Sequence, residues 1–193
     1  MRLVLATHSE HKRREFERML EGHDVGVLPT EVLLPAENGL SFADNAFGKA
    51  RAAAQATGRI AIADDSGIEA AALGGAPGVR SARYAGENAT DEENLLKLLR
   101  EAPVGSALRY VCALVYVDQA AGIERLFEAH CTGHLEGEPR GQRGFGYDPV
   151  FLPEDGPRGL TMAELSDPQK DSISHRGQAA RALLGWLEDP LRD

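Results

Sequence analysis

The chain has 193 residues, of which 42% are hydrophobic and 26% are charged, values typical of one globular domain with its own core. The net charge of −9 argues against general nucleic-acid binding, because a duplex-binding protein needs an excess of lysine and arginine. No run of about 18 apolar residues is present, so we expect no membrane-spanning segment. The first residues have an apolar core of only four residues and no small-residue cleavage site, so we expect no signal peptide. The sequence predicts a single domain over residues 1–193, with room for two lobes. We also expect a cytoplasmic protein whose cysteines, Cys112 and Cys131, are reduced.

The first third of the chain alternates short apolar runs with helical patterns. A polar turn follows the first strand, and a long loop of residues 29–39 precedes an alanine-rich helix that Ser41 and Asp44 begin as a candidate capping box. The patterns predict strands at 3–6, 23–28 and 59–63, and helices at 10–22 and 41–58.

The rest of the chain predicts a glycine-rich loop, a helix, a hairpin, a second glycine-rich loop and two helices. The first helix has a capping box of Thr90 and Glu93. The predicted loops are 74–86 and 141–151, the hairpin strands are 108–117 and 124–132, and the last helices lie near residue 162 and at 174–187. Strands that alternate with helices, followed by a hairpin, indicate an α/β fold with a mixed sheet.

The segment from Thr7 to Lys12 lies between a strand and a helix. Free backbone amides at a helix start, together with hydroxyls and a lysine, can hold an anion such as a phosphate. The alternative is that Thr7 and Ser9 only cap the helix and that Lys12 is a solvated surface charge. This segment alone does not decide between the two interpretations.

Two adjacent carboxylates, Asp64 and Asp65, come directly after an apolar strand and precede Ser66 and Gly67. Ligand sites of open α/β sheets lie beyond the carboxyl ends of strands, and paired carboxylates there suit Mg²⁺, which prefers oxygen ligands and substrate phosphates. One of them could also act as a base toward water. The alternative is an ordinary β-turn, which favours these residue types. Glu37, in the preceding loop, is a further candidate metal ligand.

Two later segments combine aromatic, glycine and cationic residues. In the run Gly144 to Pro149, flanking glycines allow close approach of a ligand and Phe145 can stack on a base; the alternative is an aromatic turn that packs on the core. His175 and Arg176 lie in the first turn of a helix, where a cation opposes the helix dipole unless an anion or a carbonyl is nearby. The alternative is a solvent-facing pair. Lys170 precedes them.

Six stretches, taken together and in this order, resemble the inosine triphosphate pyrophosphatase family. They are LATHSEHK, ENGLSFADNAFGKA, AIADDSG, LGGAPGVRSARYAG, GFGYDPVF and SISHRGQA, and they cover most of the chain. The resemblance implies an α/β fold with an elongated mixed β-sheet flanked by helices, and two lobes with the active cleft between them. It also implies a homodimer.

The resemblance further implies roles for individual residues. Asp65 is the expected general base and a ligand of Mg²⁺, with Glu37 and Asp64 supporting the metal. Phe145 is expected to stack on the base, and His175 and Arg176 to read its edge. The implied substrate-binding residues are Thr7, His8, Ser9, Glu10, His11, Lys12, Ser66, Phe145, Gly146, Tyr147, Asp148, Lys170, His175 and Arg176. Ser9 departs from the family pattern, which has asparagine there.

The implied activity is hydrolysis of the non-standard purine nucleotides ITP, dITP and XTP to monophosphate and pyrophosphate. Water attacks the α-phosphorus, so that positioning and electrostatic stabilisation dominate catalysis. Two other functions stay open at this point. One is a pyrophosphatase of the same architecture acting on pyrimidine or modified nucleotides, and the other is a nucleotide-binding module without turnover.

Overall fold

The structure, a computed structural model, describes residues 2–189 and shows strands and helices in the alternating order that the sequence predicts. The strands are β1 (Arg2–Leu5), β2 (Asp24–Val27), β3 (Ile60–Ala70), β4 (Ala107–Asp118), β5 (Ile123–Leu135) and β6 (Phe151–Pro153). The α-helices are α1 (Glu10–Met19), α2 (Phe42–Thr57), α3 (Asp91–Glu101), α4 (Asp167–Ile173) and α5 (His175–Glu188). Short 3₁₀ turns lie at Ala71–Leu73, Gly78–Arg83 and Asp148–Val150.

The six strands form one mixed sheet in the order β2-β1-β3-β4-β5-β6. Strand β1 runs parallel to both of its neighbours, with Leu5 opposite Val27 of β2 and Ile62 of β3. Strand β6 runs antiparallel to β5 and pairs Phe151 with Leu135. The expectation of a mixed sheet flanked by helices is therefore confirmed.

Side-chain caps begin the helices where the sequence predicted them. The hydroxyl of Ser41 accepts from the backbone amide of Asp44 at 3.1 Å. Thr90 and Glu93 form a full capping box at the start of α3. At α1 the cap is Ser9, whose hydroxyl accepts from the amide of Lys12 at 3.3 Å. These contacts satisfy amides that have no partner inside a helix.

Strand β3 is longer than predicted, and this changes the setting of the two aspartates. We expected the strand to end at residue 63 with Asp64 and Asp65 beyond it, and this was wrong, because β3 continues to Ala70. Aspartate and glycine are depleted in strands, which is why we expected the strand to end before them. Both carboxylates are instead buried inside the strand, with cations beside them.

The short helix predicted near Met162 is also wrong, because this segment forms turns. The amides of Met162 and Ala163 donate to the carbonyls of Phe151 and Asp148, so that their hydrogen bonds join another segment instead of a helix. The apolar residues that suggested a helix are buried for that reason. The three-residue strand β6, which begins at the last residue of the loop predicted at 141–151, was not predicted.

The described residues divide into two compact units, each with its own hydrophobic core. Unit 1 comprises residues 2–65, 112–129 and 176–189, and unit 2 comprises residues 66–111 and 130–175. Cys112 lies in the core of unit 1, with Phe16 and Leu114 among its neighbours. Cys131 lies in the core of unit 2, with Tyr110 and Phe151. Both cysteines are free thiols. None of the helices between residues 2 and 189 is long and apolar enough to cross a membrane.

Candidate active site

Unit 1 contains a group of ionised and polar side chains that we name the charged cluster. Strand β3 supplies two carboxylates and the loop before α2 supplies a third. Helix α1 supplies a lysine and a carboxylate, α2 a lysine and an amide, and α5 an arginine. Its members are Lys12, Glu15, Glu37, Asn45, Lys49, Asp64, Asp65 and Arg176. Since an ionised group without compensation is costly to bury, the alternation of charges is what allows this cluster to exist.

Asp65 is held by two residues of the same helix face on α2. The side-chain amide of Asn45 donates to Asp65 Oδ2 at 2.8 Å, and Lys49 Nζ lies 3.7 Å from Asp65 Oδ1. Asn45 also accepts from the backbone amide of Gly39, which ties the preceding loop to the same point. Burial raises the pKa of Asp65 above the ordinary aspartate range, although Lys49 and Lys12 oppose this, and Glu37 adds to it. A buried carboxylate with a raised pKa is a stronger proton acceptor than one in water.

Asp64 is fully buried and lies between two cations. Lys12 Nζ is 3.0 Å from Asp64 Oδ2, and Nε of Arg176 is 3.4 Å from the same oxygen. Burial alone would raise the pKa of Asp64, but Lys12, Arg176 and Lys49 outweigh it and hold the pKa below its usual range. The two cations therefore favour the ionised form of Asp64, and Lys12 is not the solvated surface charge of the alternative interpretation.

Arg176 is 2% exposed, so the alternative of a solvent-facing cation at the start of α5 is wrong. Its Nη1 lies 2.5 Å from Oε2 of Glu15 on α1, and its other nitrogens approach Asp64. Carboxylates of the protein itself therefore offset the unfavourable position of this cation at a helix start. The predicted role of Arg176 in reading a base edge stays a prediction.

The start of α1 is arranged as a helix N-terminus with its amides toward Thr7 and Ser9. Thr7 accepts from the amide of Ser9 at 3.1 Å, and Ser9 caps the helix. Glu10 is an exposed residue that pairs with Arg13 at 2.6 Å, and this pairing lowers the pKa of Glu10. The structure thus shows the capping geometry of the alternative interpretation, and the anion-binding role of residues 7–12 stays a prediction.

The carboxylates of the charged cluster have the chemistry that Mg²⁺ prefers. Glu37 and Asp65 share Lys49 as a cationic partner, and burial raises but Lys49 lowers the pKa of Glu37, which ends below its usual range. Between residues 2 and 189, no three histidine, cysteine or acidic side chains converge as a complete metal site. Mg²⁺ commonly binds through one or two carboxylates and takes its remaining ligands from water and substrate phosphates. Two carboxylates that share one cationic partner fit that pattern.

Unit 2 contains a second group, which we name the aromatic cluster: Tyr110, Phe145, Asp148, Lys170 and His175. Lys170 Nζ donates to Asp148 Oδ2 at 2.6 Å, the amide of Phe145 donates to the same oxygen at 2.9 Å, and the hydroxyl of Tyr110 donates to Oδ1 at 3.1 Å. Lys170 also lies 5.2 Å from the centre of the Phe145 ring. The buried ion pair of Lys170 and Asp148 therefore lies beside the aromatic residues Tyr110 and Phe145.

The glycine loop before Asp148 lies very close to the carboxylate of Asp148. Gly144 has a φ of +71°, and a Cβ placed on it would lie 2.0 Å from Asp148 Oδ2. The amide of Gly146 donates to Asp91 at the start of α3. Tyr147 is buried and its hydroxyl donates to the carbonyl of Ser81, so for this residue the alternative of an aromatic packed on the core holds. Phe145 remains half-buried.

The predicted residues thus fall into separate groups within the two units. Lys12, Glu37, Asp64, Asp65 and Arg176 meet in the charged cluster. Phe145, Asp148, Lys170 and His175 meet in the aromatic cluster, and Ser66 is half-buried in β3 next to Asp65. His8 and His11 are exposed at the start of α1.

Sequence reasoning missed four residues that contact these groups: Glu15, Asn45, Lys49 and Tyr110. Signals for three of them exist in the spacing. Asn45 and Lys49 are four residues apart in a helix, and Glu15 follows Lys12 by three, so each pair shares a helix face. Tyr110 lies in the middle of an apolar strand and gives no such signal.

Comparison with known proteins gives consistent results. The Ham1 family model matches residues 3–186. A dITP/XTP pyrophosphatase of Halorhodospira halophila is 48% identical over 95% of this chain and 96% of its own length, and one of Shewanella oneidensis is 42% identical over 97% and 94%. A solved HAM1 protein of Coxiella burnetii is 37% identical and superposes with a TM-score of 0.83 over 97% of this chain and 98% of its own. With a family match over most of its length and a common fold, this chain belongs to the Ham1 family.

Proposed function

We propose that this protein hydrolyses the non-standard purine nucleoside triphosphates ITP, dITP and XTP to the nucleoside monophosphate and pyrophosphate. The observation that carries the proposal is the buried carboxylate Asp65, which Asn45 and Lys49 hold in the charged cluster close to the helix start at Lys12. Relatives at 42–48% identity are named dITP/XTP pyrophosphatases, which supports the same substrates for this chain.

In the proposed reaction, Asp65 accepts a proton from the water that attacks the α-phosphorus. A phosphorus–oxygen bond to this water forms, the bond to the bridging oxygen breaks, and pyrophosphate leaves with that oxygen. Negative charge develops on the phosphoryl oxygens, and fixed cations stabilise it without reorganising. Lys12 and Lys49 are the cations of this role, and residues 7–12 hold the triphosphate.

Mg²⁺ is part of the proposal, with Glu37 and Asp65 as its ligands and Asp64 as support. When bound it would neutralise phosphate charge and polarise the phosphoryl group. The lowered pKa of Glu37 favours its ionised form, which is the form that binds a divalent cation.

The aromatic cluster is the proposed base-binding part of the site. Phe145 offers a half-buried ring for stacking, and Asp148 with Lys170 frames the nucleotide. Donors on His175 and Arg176 would favour a 6-oxo purine, because the amino group of adenine would face them unpaired. Ser66, Gly146 and Tyr147 complete the proposed binding residues.

The decisive test is release of pyrophosphate from a panel of triphosphates, with Mg²⁺ and with EDTA in its place. We expect turnover of ITP, dITP and XTP that is lost with EDTA, and little turnover of ATP. Release of orthophosphate, equal use of ATP, or preference for a pyrimidine triphosphate would contradict the proposed reaction. Turnover that persists in EDTA would contradict the metal.

The quaternary state and location extend the same proposal. We propose a homodimer of a single pyrophosphatase domain in the cytoplasm, where the nucleotide pool lies; residues 1 and 190–193 of that domain lie outside the described part of the chain. Light scattering at micromolar concentration checks the dimer, because the monomer has a mass of 20.8 kDa. A particle of that mass would refute it.

A further inference from the structure

The centre of the aromatic cluster is Tyr110, a residue of β4 that touches two of the proposed base-binding groups at once. Its ring lies parallel to the imidazole of His175, with 4.6 Å between ring centroids and 10° between planes. Its hydroxyl donates to Oδ1 of Asp148 at 3.1 Å. We infer that Tyr110 is a positioning residue for nucleobase recognition, which it sets through the orientation of His175 and Asp148. This inference rests on the proposed function.

The hydrogen bond of Tyr110 completes the environment of a buried carboxylate. Lys170 and the amide of Phe145 both engage Oδ2 of Asp148, and Tyr110 engages Oδ1. Donors from α4, the glycine loop and β4 therefore act on the two oxygens and fix the plane of the carboxylate. Without the hydroxyl, the carboxylate loses a donor at the oxygen opposite Lys170 and gains freedom to rotate about its terminal bond.

The stacking contact fixes the second group. His175 is the first residue of α5, directly after Ser174, and the residue is 4% exposed. Parallel packing on Tyr110 restrains the plane of the imidazole. The hydrogen bonds of the ring nitrogens lie in that plane, so the packing sets the direction in which a base edge can be met. Tyr110 itself is held by Phe151, whose ring centroid lies 4.5 Å away.

One side chain thus links the residue proposed to read the base edge with the residue that frames the nucleotide. Discrimination between bases depends on donors and acceptors held in register with the base edge. Loss of Tyr110 therefore weakens binding of the favoured base and the rejection of adenine, and leaves the chemistry at the α-phosphorus, carried by unit 1 residues, nearly unchanged.

The test compares Tyr110→Phe with Tyr84→Phe. The control tyrosine also lies in unit 2 and also donates to a carboxylate, but its partner Glu101 is not a member of the aromatic cluster. Pyrophosphate release is measured from ITP and from ATP over a range of concentrations, and the melting temperature is measured on the same samples.

For Tyr110→Phe we expect KM for ITP to rise about tenfold, the loss typical of one hydrogen bond to a charged group. We expect kcat to stay within about twofold of the wild-type value. The preference for ITP over ATP should fall by about the same factor as KM for ITP rises. Tyr110→Leu, which also removes the stacking ring, should lose about tenfold more of that preference. Tyr84→Phe should retain wild-type KM and preference.

The outcomes separate the inference from the function on which it rests. A lowered melting temperature with unchanged KM and unchanged preference in Tyr110→Phe would make the residue structural only, and would overturn the inference alone. A fall in kcat at unchanged KM would overturn it as well. Wild-type protein that releases no pyrophosphate from ITP would overturn the proposed function and the inference together.

Discussion

The charged cluster of unit 1 and the aromatic cluster of unit 2 bury ionised groups by different means. In unit 1, four carboxylates alternate with three cations, and every ion pair shares a residue with another ion pair. In unit 2, one carboxylate and one ammonium group form a single pair, enclosed by rings and backbone amides. The first arrangement suits a substrate that brings many charges, and the second suits a planar group with a few polar atoms.

The largest expected effect is on turnover in unit 1. Asp65→Asn keeps the shape and removes the proton acceptor, so kcat should fall by about 10²–10⁴-fold, the usual contribution of a general base, with substrate binding much less affected. Single-turnover assays and nucleotide binding measure the two quantities. The matched control is Asp24→Asn, at an exposed aspartate of β2. If Asp65→Asn retains more than about a tenth of wild-type activity, another carboxylate is the base, and Asp64 is the first to test.

The same substitution of lysine in each cluster sharpens the comparison. Lys49→Met should lower kcat by about 100-fold, as loss of one preorganised charge does in other active sites, whereas Lys170→Met should raise KM by about 10- to 100-fold. Both variants break buried ion pairs, which typically costs about 3–5 kcal/mol of stability, so kinetics are measured well below the melting temperature. An equal kcat effect for the two would contradict the division of roles.

A second substitution in each cluster tests whether the charges form an isolated ion pair, as in unit 2, or a connected network, as in unit 1. Adding Asp148→Asn to Lys170→Met removes the uncompensated charge, and much of the lost stability should return. Adding Asp65→Asn to Lys49→Met should restore less, because Glu37 still lacks its cation. Urea unfolding of the single and double variants measures both differences. Similar recovery in the two clusters would mean that unit 1 is not a connected network.

A smaller effect is expected at Ser9, where the structure shows a helix cap. If the hydroxyl also contacts phosphate, Ser9→Ala should lower kcat/KM by about three- to thirtyfold. If it only caps α1, the substitution should cost about 1 kcal/mol of stability and leave the kinetics unchanged. A lower melting temperature with unchanged kinetics would refute the phosphate contact.

The smallest effect lies outside both clusters, at Tyr84. Burial and the hydrogen bond to Glu101 raise the pKa of Tyr84 from 10.0 to about 12. The raised pKa means that the folded state favours the neutral phenol. The contribution of this phenol to the stability of the fold is therefore fully present below about pH 10 and is lost as the pH rises toward 12. The melting temperature of the wild type relative to Tyr84→Phe should therefore decrease across that range. A difference that is constant with pH would contradict the raised pKa.

Contacts between residues close in sequence were predictable, and contacts between residues far apart in sequence were not. Helix starts at Ser41 and Thr90 were predictable because a cap involves residues three positions apart. The continuation of β3 past residue 63 was not, since the charge of the buried Asp64 is offset by Lys12 and Arg176, which lie far from it in sequence. For the same reason Arg176, His175 and Asp148 were predictable as candidates, but their partners were not. Glu15 meets Arg176, and Tyr110 meets His175 and Asp148, only in the fold.

The two cysteines have a practical consequence, because each unit has one in its core. Burial is the main cause that raises the pKa of both Cys112 and Cys131, to about 12, and protonated buried thiols react very slowly with alkylating reagents. Each thiol therefore becomes reactive only when the core around it opens, and mass spectrometry of the modified peptides distinguishes one site from the other. The chain thus carries a native chemical reporter for the local opening of each core, without any engineered label.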